Sequence, residues 1–386
     1  MPPFDCFIET LDRPVTAADA VWSARLPASR HAAAGASPAP AADAPTVGDY
    51  FAAVRAYLQG PGEKALARAL AAAGMPAGPD TELRLLLSKH GAYYHPCRVM
   101  ADSGGRRAEM VLNVAVSEAG LALAPKEFAI LKRLNRLPGP SFLPEVYGFG
   151  RAAAGPCAEA CMFLGQWLGG FNEFHLTGRG PGGQPTLVIW DPEEGLLEPD
   201  PDQCDQIYAQ AARILTRYFD LETFECIGAW HHAAGDFVVR LGGPRPELRL
   251  VTVREYRPMF TRPRPPGRPG GDVQTLLESL LVFFMNLSVR MRLDRLDGVG
   301  ELAWSGPGAV AATLAGVLEA LSEKPPVAGL PLPLDQLFRR YLRAADPSEL
   351  RELCTAVLTA NPPRPTLADA RLEEHLAALE RAVSNL

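Results

Sequence analysis

The sequence predicts a mixed α+β protein of two lobes, in which a lobe with a five-stranded antiparallel sheet precedes a mainly helical lobe. Two observations support this. Between residues 83 and 168, short apolar runs bounded by turn residues occur with one helical run, in the order strand, strand, strand, helix, strand, strand. From residue 272 onward, most of the chain has apolar residues at helical spacing.

The elements are placed by the length and spacing of these apolar runs. A helix is predicted over 125–135, because Phe128, Leu131 and Leu134 share one face and Pro125 suits a first helical turn. The strands predicted for the first lobe are 83–87, 97–101, 110–116, 142–150 and 162–168. For the second lobe we predict a helix over 206–219, strands over 236–239 and 248–253, and a Pro-rich loop over 257–271.

Four regions follow from changes in composition along the chain. Residues 1–46 form an N-terminal segment that ends in an Ala/Pro-rich linker. Residues 47–80 have a helical pattern interrupted at 60–62, which predicts a small helical extension. The first lobe is expected over 81–170 and the second over 171–386.

Composition excludes several classes of protein. The chain has 386 residues, of which 47% are hydrophobic and 21% charged, as in folded globular proteins. Its net charge of −6 gives no general attraction to nucleic acid or to an anionic membrane. The most apolar run, 276–287, contains Glu278 and is shorter than the roughly 20 residues of a membrane span, so we expect a buried helix. No secretory signal is visible, and seven scattered cysteines suit a reducing, cytoplasmic compartment.

Several short segments occur in an informative order. The third strand ends in MVLN at 110–113, and the following helix supplies Glu127. The segment MFLGQWLGG at 162–170 is an apolar strand that leads into a Gly pair. The segment WHHAAGDFVVR at 230–240 places Asp236 before three apolar residues. Together these segments resemble the protein-kinase-like superfamily, which includes protein kinases and small-molecule phosphotransferases, over roughly residues 83–380.

The resemblance implies roles for individual residues. Asn113 stands at the position of the family's strand lysine, and Glu127 at that of its glutamate partner. The backbone around Gln166, Trp167 and Leu168 would meet an adenine ring. Aligning the apolar triplet places His231 at the catalytic aspartate, Asp236 at the metal-binding asparagine and Thr252 at the metal-binding aspartate. Asp272 and Arg364 match positions in the helical lobe.

The departures concern the chemistry. Phosphoryl transfer needs positive charge on the phosphates, carboxylates that hold magnesium and a residue that orients the acceptor. The chain lacks the strand lysine and the metal-binding aspartate, and threonine does not replace a carboxylate as a ligand of a hard cation. Lys89, beside Gly91 in the nucleotide-loop position, is a candidate replacement that would pair with Glu127, and otherwise a surface lysine. Glu255 is a candidate carboxylate or an ordinary surface charge.

Histidines and tyrosines near these positions leave two interpretations each. His231 and His232 are candidate bases, or they shape the loop through hydrogen bonds. With His90 and His95 they form a candidate metal site across the cleft. Tyr93, Tyr94 and His95 are bulky beside a phosphate site, and they either pack within the loop or close over the cleft. The pair Cys157 and Cys161 is only a weak zinc signal.

Three hypotheses for function remain. The leading one is a pseudokinase that binds a partner protein or a nucleotide-like ligand in the cleft between the lobes. The alternative is an active, divergent ATP-dependent phosphotransferase that uses Lys89, His231 and Asp236, with Mg²⁺ on Asp236. The third is an unrelated α+β binding protein. The sequence leaves the substrate and the oligomeric state open.

Overall fold

The fold of the first half is set by strands with much buried surface: residues 108–114 alternate buried and half-buried side chains, and residues 160–165 are buried throughout. A computed structural model of the protein describes residues 4–27, 44–75, 78, 81–155, 159–228, 230, 235–243, 245–259, 273–298, 300–360 and 368–386. The chain divides into two units, Met1–Gly169 and Gly170–Leu386. It is a mixed α+β protein with a multi-stranded sheet in the N-terminal unit.

The sheet of the first unit has six strands in the order β1-β2-β3-β4-β6-β5. Strands β2 to β6 are antiparallel, and the β3–β4 hairpin turns at Gly104 and Gly105, both at positive φ, as a two-residue hairpin requires. The strands are β1 (Phe4–Ile8), β2 (Glu82–Leu87), β3 (His95–Ser103), β4 (Arg106–Ala115), β5 (Val146–Ala153) and β6 (Glu159–Gln166).

The prediction of five strands was wrong by one. Strand β1 pairs in parallel with β2, with Phe4 opposite Leu83, so part of the predicted N-terminal segment belongs to the sheet. A parallel partner can lie far away in sequence, and β1 is separated from β2 by two helices. Its five residues, FDCFI, alternate too briefly to indicate a strand without that partner.

Three helices pack on this sheet: α1 (Val47–Leu58), α2 (Glu63–Ala72) and α3 (Glu118–Leu134). Thr46 and Asp49 form a capping box at the start of α1, and α1 and α2 share one buried core with the strands. Helix α3 begins at Glu118 after the N-cap Ser117, so the predicted start at Pro125 was wrong. The run EAGLALA has high helix propensity and continues the helix N-terminally of the proline.

The second unit combines small sheets with a helical core. Its short strands are β7 (Glu173–Thr177), β8 (Thr186–Asp191), β9 (Gly195–Leu197), β10 (Glu225–Gly228), β11 (Phe237–Arg240), β12 (Glu247–Leu250), β13 (Glu255–Pro258), β14 (Leu293–Arg295) and β15 (Leu302–Trp304). Its helices are α4 (Pro201–Arg217), α5 (Val273–Arg290), α6 (Gly308–Ser322), α7 (Leu334–Ala344), α8 (Pro347–Ala360) and α9 (Ala368–Ser384). The predicted strands at 236–239 and 248–253 overlap β11 and β12, and the predicted helix at 206–219 overlaps α4, but the prediction omitted β7–β9, β10 and β13–β15.

Helices α4 and α6 of this unit pack against each other at very close range. Helices α4 and α6 approach so closely that a Cβ on Gly316 would lie 1.9 Å from the carbonyl oxygen of Ala209. Within the described residues, α5 alone is long and apolar enough to cross a membrane by length and composition. Because 61% of that 18-residue window is buried inside the protein, α5 has the burial of a core helix, as predicted for 276–287.

Candidate functional site

The turn between β2 and β3 holds the residues at the nucleotide-loop position. Lys89 is exposed there. The amide of Gly91 donates to the carbonyl of Tyr94 at 2.8 Å, which closes the turn on itself. A Cβ on Gly91 would lie 3.1 Å from that same carbonyl oxygen, so the tight turn favours glycine at this position.

Glu127 is the buried acid of the first unit. Its side chain lies on α3, only 1% of the residue is exposed, and its Oε2 accepts a hydrogen bond from the hydroxyl of Tyr94 at 2.7 Å. The ring of Tyr94 meets Phe163 edge to face, with 5.8 Å between centroids. Tyr94 therefore connects the turn to α3. The packing interpretation of the tyrosines applies to Tyr94, although the sequence did not indicate its hydrogen bond to Glu127.

The strands β4 and β6 position the remaining candidates of this unit. Asn113 is half-buried on β4 and lies between Pro96 and Phe163 in the ladder. Gln166 ends β6, where its amide donates to the carbonyl of Glu145 at 2.8 Å. After it, Trp167 and Leu168 are partly exposed.

Trp167 has a cationic neighbour. The guanidinium of Arg98 lies 4.7 Å from the centroid of the Trp167 ring, which suits a cation–π contact. Nη2 of Arg98 also lies 2.8 Å from Oε1 of Glu109, so the ion pair and the cation–π contact together hold the Arg98 side chain in place. Trp167 is therefore engaged within its own unit.

Two of the histidines in the metal hypothesis do contact one another. The Nδ1 atoms of His90 and His95 lie 2.8 Å apart, so one ring donates to the other. Burial lowers the pKa of His95 to about 4, which keeps it neutral near pH 7. His231 and His232 lie outside the described residues. Among the residues that are described, no group of three or more His, Cys, Asp and Glu is placed to hold a metal ion.

Asp236 lies at the start of the β11–β12 hairpin in the second unit. Its carbonyl accepts the amide of Val251 at 2.7 Å, so Asp236 and the neighbouring Thr252 occupy the same end of the hairpin. Thr252 is half-buried. The predicted strands thus do bring together two of the residues that the resemblance had assigned to the metal site.

The carboxylate of Asp236 is occupied by an arginine. Arg254 Nη1 donates to Oδ2 at 2.7 Å, and Nη2 donates to Oδ1, which makes a two-pronged ion pair. The carboxylate of Asp236 is buried, with 1% exposed, whereas the side chain of Arg254 is 20% exposed. Arg254 was not among the residues predicted from the sequence, although its position two residues after Thr252 places it beside the same end of the hairpin.

A second arginine lies near this carboxylate. The guanidinium of Arg290, on α5, lies 4.2 Å from the ring centroid of Trp230 and donates to the carbonyl of Trp230. Burial lowers the pKa of Arg290 to about 10, and the negative charge of Asp236 offsets part of that effect. Positive charge thus surrounds Asp236 from both the β12–β13 segment and α5.

The side chain of Glu255 contacts residues of its own strand and of the paired strand. It begins β13 opposite Gly228 of β10, and its Oε1 lies 2.7 Å from Nε of the exposed Arg257. A Cβ on Gly228 would lie 2.6 Å from the other carboxylate oxygen, so the side chain lies against the strand pair. Asp272, Arg364 and Cys157 fall outside the described residues, and Cys161 is a buried free thiol on β6.

Comparisons with known proteins give little sequence similarity. No protein-family model matches the chain, and no curated protein matches it. Among solved structures, the chain is similar to one described as WaaP in complex with acyl carrier protein, with 11% sequence identity and a TM-score of 0.30. The match covers 68% of this chain and 83% of that chain.

Proposed function

We propose that this protein is a kinase-like protein without the standard catalytic set, and that it works as a module that binds a ligand or partner. The element order supports the kinase-like part. Strands β2, β3 and β4, helix α3, and strands β5 and β6 follow one another as the resemblance implies. Helix α4, strand β10 and the β11–β12 hairpin then follow in the second unit.

The ion pair between Asp236 and Arg254 carries the second part. A carboxylate that ligates Mg²⁺ needs an oxygen open to the ion. Here both oxygens of the only carboxylate at the three aligned metal and catalytic positions accept hydrogen bonds from one guanidinium. The other two positions hold Thr252 and His231, neither of which is a carboxylate. Phosphoryl transfer by the usual metal-dependent route therefore lacks its metal anchor.

Titration of the full chain with ATP, with and without Mg²⁺, tests this proposal. A ligand at 100 times its Kd raises the free energy of unfolding by about 2.7 kcal/mol, which a thermal denaturation resolves. We expect Mg²⁺ to add no stabilisation beyond that of ATP alone, and no transfer of the γ-phosphate.

The alternative hypothesis, an active ATP-dependent phosphotransferase, predicts the opposite result. It requires Asp236 to exchange Arg254 for Mg²⁺, so it predicts a Mg²⁺-dependent rise in Tm that Asp236→Asn abolishes. Asp202→Asn, at an exposed position in the first turn of α4, is the matched control. A Mg²⁺-dependent rise that survives in the control and disappears in Asp236→Asn would overturn the proposal.

A further inference from the structure

A groove on the first unit gathers cationic side chains in an otherwise acidic protein. It has a volume of about 400 Å³ and lies among the first half of α2, the second half of α3 and strand β5. Its lining comprises Pro61, Lys64, Ala65, Arg68, Phe128, Lys132 and residues 146–149. We call it the basic groove.

Three cations and no carboxylate line the basic groove. Lys64 and Lys132 are exposed, and among the described residues neither has a carboxylate within 4 Å. Arg68 donates to the carbonyl of Tyr147, which is a neutral partner. Because the chain as a whole carries −6, this local excess of positive charge runs against the average and favours an anionic ligand.

One acid lies beside Tyr147 without lining the groove. Glu145 comes directly before β5 and is hydrogen-bonded to the hydroxyl of Tyr147. Burial first, and then the charge of Glu145, raise the pKa of Tyr147 to about 12, so the phenol stays neutral near pH 7. Tyr147 thus presents no negative charge to the groove.

The N-terminal end of α2, where the helix dipole is positive, also borders the basic groove. The helix has ten residues, and its N-cap residue is Gly62, which has no side chain to cap the amides of the first turn. Lys64 and Ala65, of that first turn, line the groove. A helix N-terminus carries roughly half a positive charge and attracts anions, phosphate groups among them.

One wall of the groove is aromatic. The rings of Phe128 and Phe149 lie 5.9 Å apart between centroids with an interplanar angle of 33°. The ammonium of Lys132 lies 5.9 Å from the centroid of Phe128, so cation and ring border the same space. A ligand that carries both a ring and an anionic group can contact both kinds of surface.

The opposite wall is fixed by contacts to the outer strand of the sheet. A Cβ on Gly148 would lie 2.5 Å from Cβ of Ala65, so only glycine lets α2 approach β5 this closely. The hydroxyl of Tyr57 donates to the carbonyl of Gly148 at 3.1 Å. The groove is therefore built on a rigid frame, which limits the conformational entropy that a ligand must overcome.

We infer that the basic groove binds a phosphate monoester attached to an aromatic ring. Lys64, Lys132 and the first turn of α2 would contact the dianion, and Phe128 and Phe149 the ring. The inference goes beyond the proposed function and does not depend on it, because none of these residues belongs to the positions aligned with the kinase-like motifs.

Calorimetric titration of the full chain with phenyl phosphate at low salt tests the inference. We expect binding to weaken about tenfold in Lys64→Met/Lys132→Met, since each lysine supplies part of the attraction to the dianion. Both side chains are exposed, so the double variant keeps its fold, which thermal denaturation verifies. Lys126→Met, an exposed lysine of α3 that does not line the groove, is the matched control and keeps the wild-type affinity.

Further arms identify the source of the ligand and the limits of the inference. Vesicles that contain phosphatidic acid carry a phosphate monoester without an aromatic ring, so lysine-dependent binding to them and not to phenyl phosphate overturns the aromatic part of the inference. Lysine-dependent binding of phenyl phosphate alone assigns it to a soluble ligand. Equal binding by the double variant and the wild type, or no binding of either probe up to about 10 mM, overturns the inference.

Discussion

Arg254 donates hydrogen bonds to both carboxylate oxygens of Asp236, and it does so where Asp236 is 1% exposed. The pair joins the start of β11 to the segment after β12, and it occupies the carboxylate that the sequence resemblance aligns with a metal-binding position. The same contact thus bears on both the stability of the hairpin and the proposed function.

Removing the arginine alone should destabilise the protein strongly. Arg254→Gln leaves the Asp236 carboxylate buried without its main partner, which costs about 3–5 kcal/mol in other buried pairs. The free energy of unfolding from urea titration measures the loss. The exposed pair of Arg151 and Glu159 provides the control, because Arg151→Gln should cost less than about 1 kcal/mol.

A double variant measures the interaction energy between Asp236 and Arg254. Asp236→Asn/Arg254→Gln removes both charges, so its loss should be smaller than the sum of the two single losses. Additive losses would show that Asp236 and Arg254 act independently, which contradicts the pair seen in the structure.

The hydroxyl of Tyr94 gives a second prediction, in the first unit. Tyr94→Phe keeps the ring against Phe163 and removes the hydrogen bond to the buried Glu127, so we expect a loss of about 1–3 kcal/mol in the free energy of unfolding. The neighbouring Tyr93 is 37% exposed, so Tyr93→Phe should cost less than Tyr94→Phe, whose hydroxyl is bonded to a buried carboxylate. Equal effects of the two substitutions would contradict the assigned role of Tyr94.

The sequence predicted the elements whose signals are local. Strands β2 to β4 each contain a short apolar run, with a glycine-containing turn between one strand and the next, and β11 contains an apolar triplet. Strand β1 was missed because its partner is distant in the chain. Strands β7 to β9 were missed because their segment is rich in Gly and Pro, and a three-residue strand such as β9 has no readable period.

The same contrast between local and distant signals applies to the candidate site residues. The sequence indicated Glu127, Asp236 and Thr252, because these positions follow from motif order. It did not indicate Tyr94 or Arg254 as their neighbours, because hydrogen-bond partners are chosen by tertiary packing rather than by spacing. Motif order therefore proposed these positions as candidates, and the structure supplied the contacts that each of them makes.

Buried histidines predict how stability depends on pH. Burial lowers the pKa of His95 to about 4 from an ordinary value of 6.5, and that of His375 likewise to about 4. Between these values the unfolded chain binds protons that the folded chain excludes, so stability falls as the pH drops from about 6.5 towards 4. Asp294 acts in the opposite direction, because burial raises its pKa to about 6.

Replacing His95 measures its contribution to the pH dependence of stability. From pH 7 to pH 5, His95 should account for about 2 kcal/mol of lost stability, so the loss in His95→Gln should be smaller than the wild-type loss by about that amount. Urea titrations of both proteins at the two pH values measure the difference. An identical loss in the two proteins would mean that His95 titrates normally in the folded state.

The contact between α4 and α6 yields the last prediction. A Cβ on Gly316 would lie 1.9 Å from the carbonyl oxygen of Ala209, and backbone cannot yield as a flexible side chain does. Gly316→Ala must therefore separate the two helices, and we expect a loss of about 3 kcal/mol or more in the free energy of unfolding, in spite of the higher helix propensity of alanine. Gly306→Ala is the matched control, because nothing lies within 4 Å of its added Cβ and its φ is not positive. A Gly316→Ala protein as stable as Gly306→Ala would show that α4 and α6 do not pack at this distance.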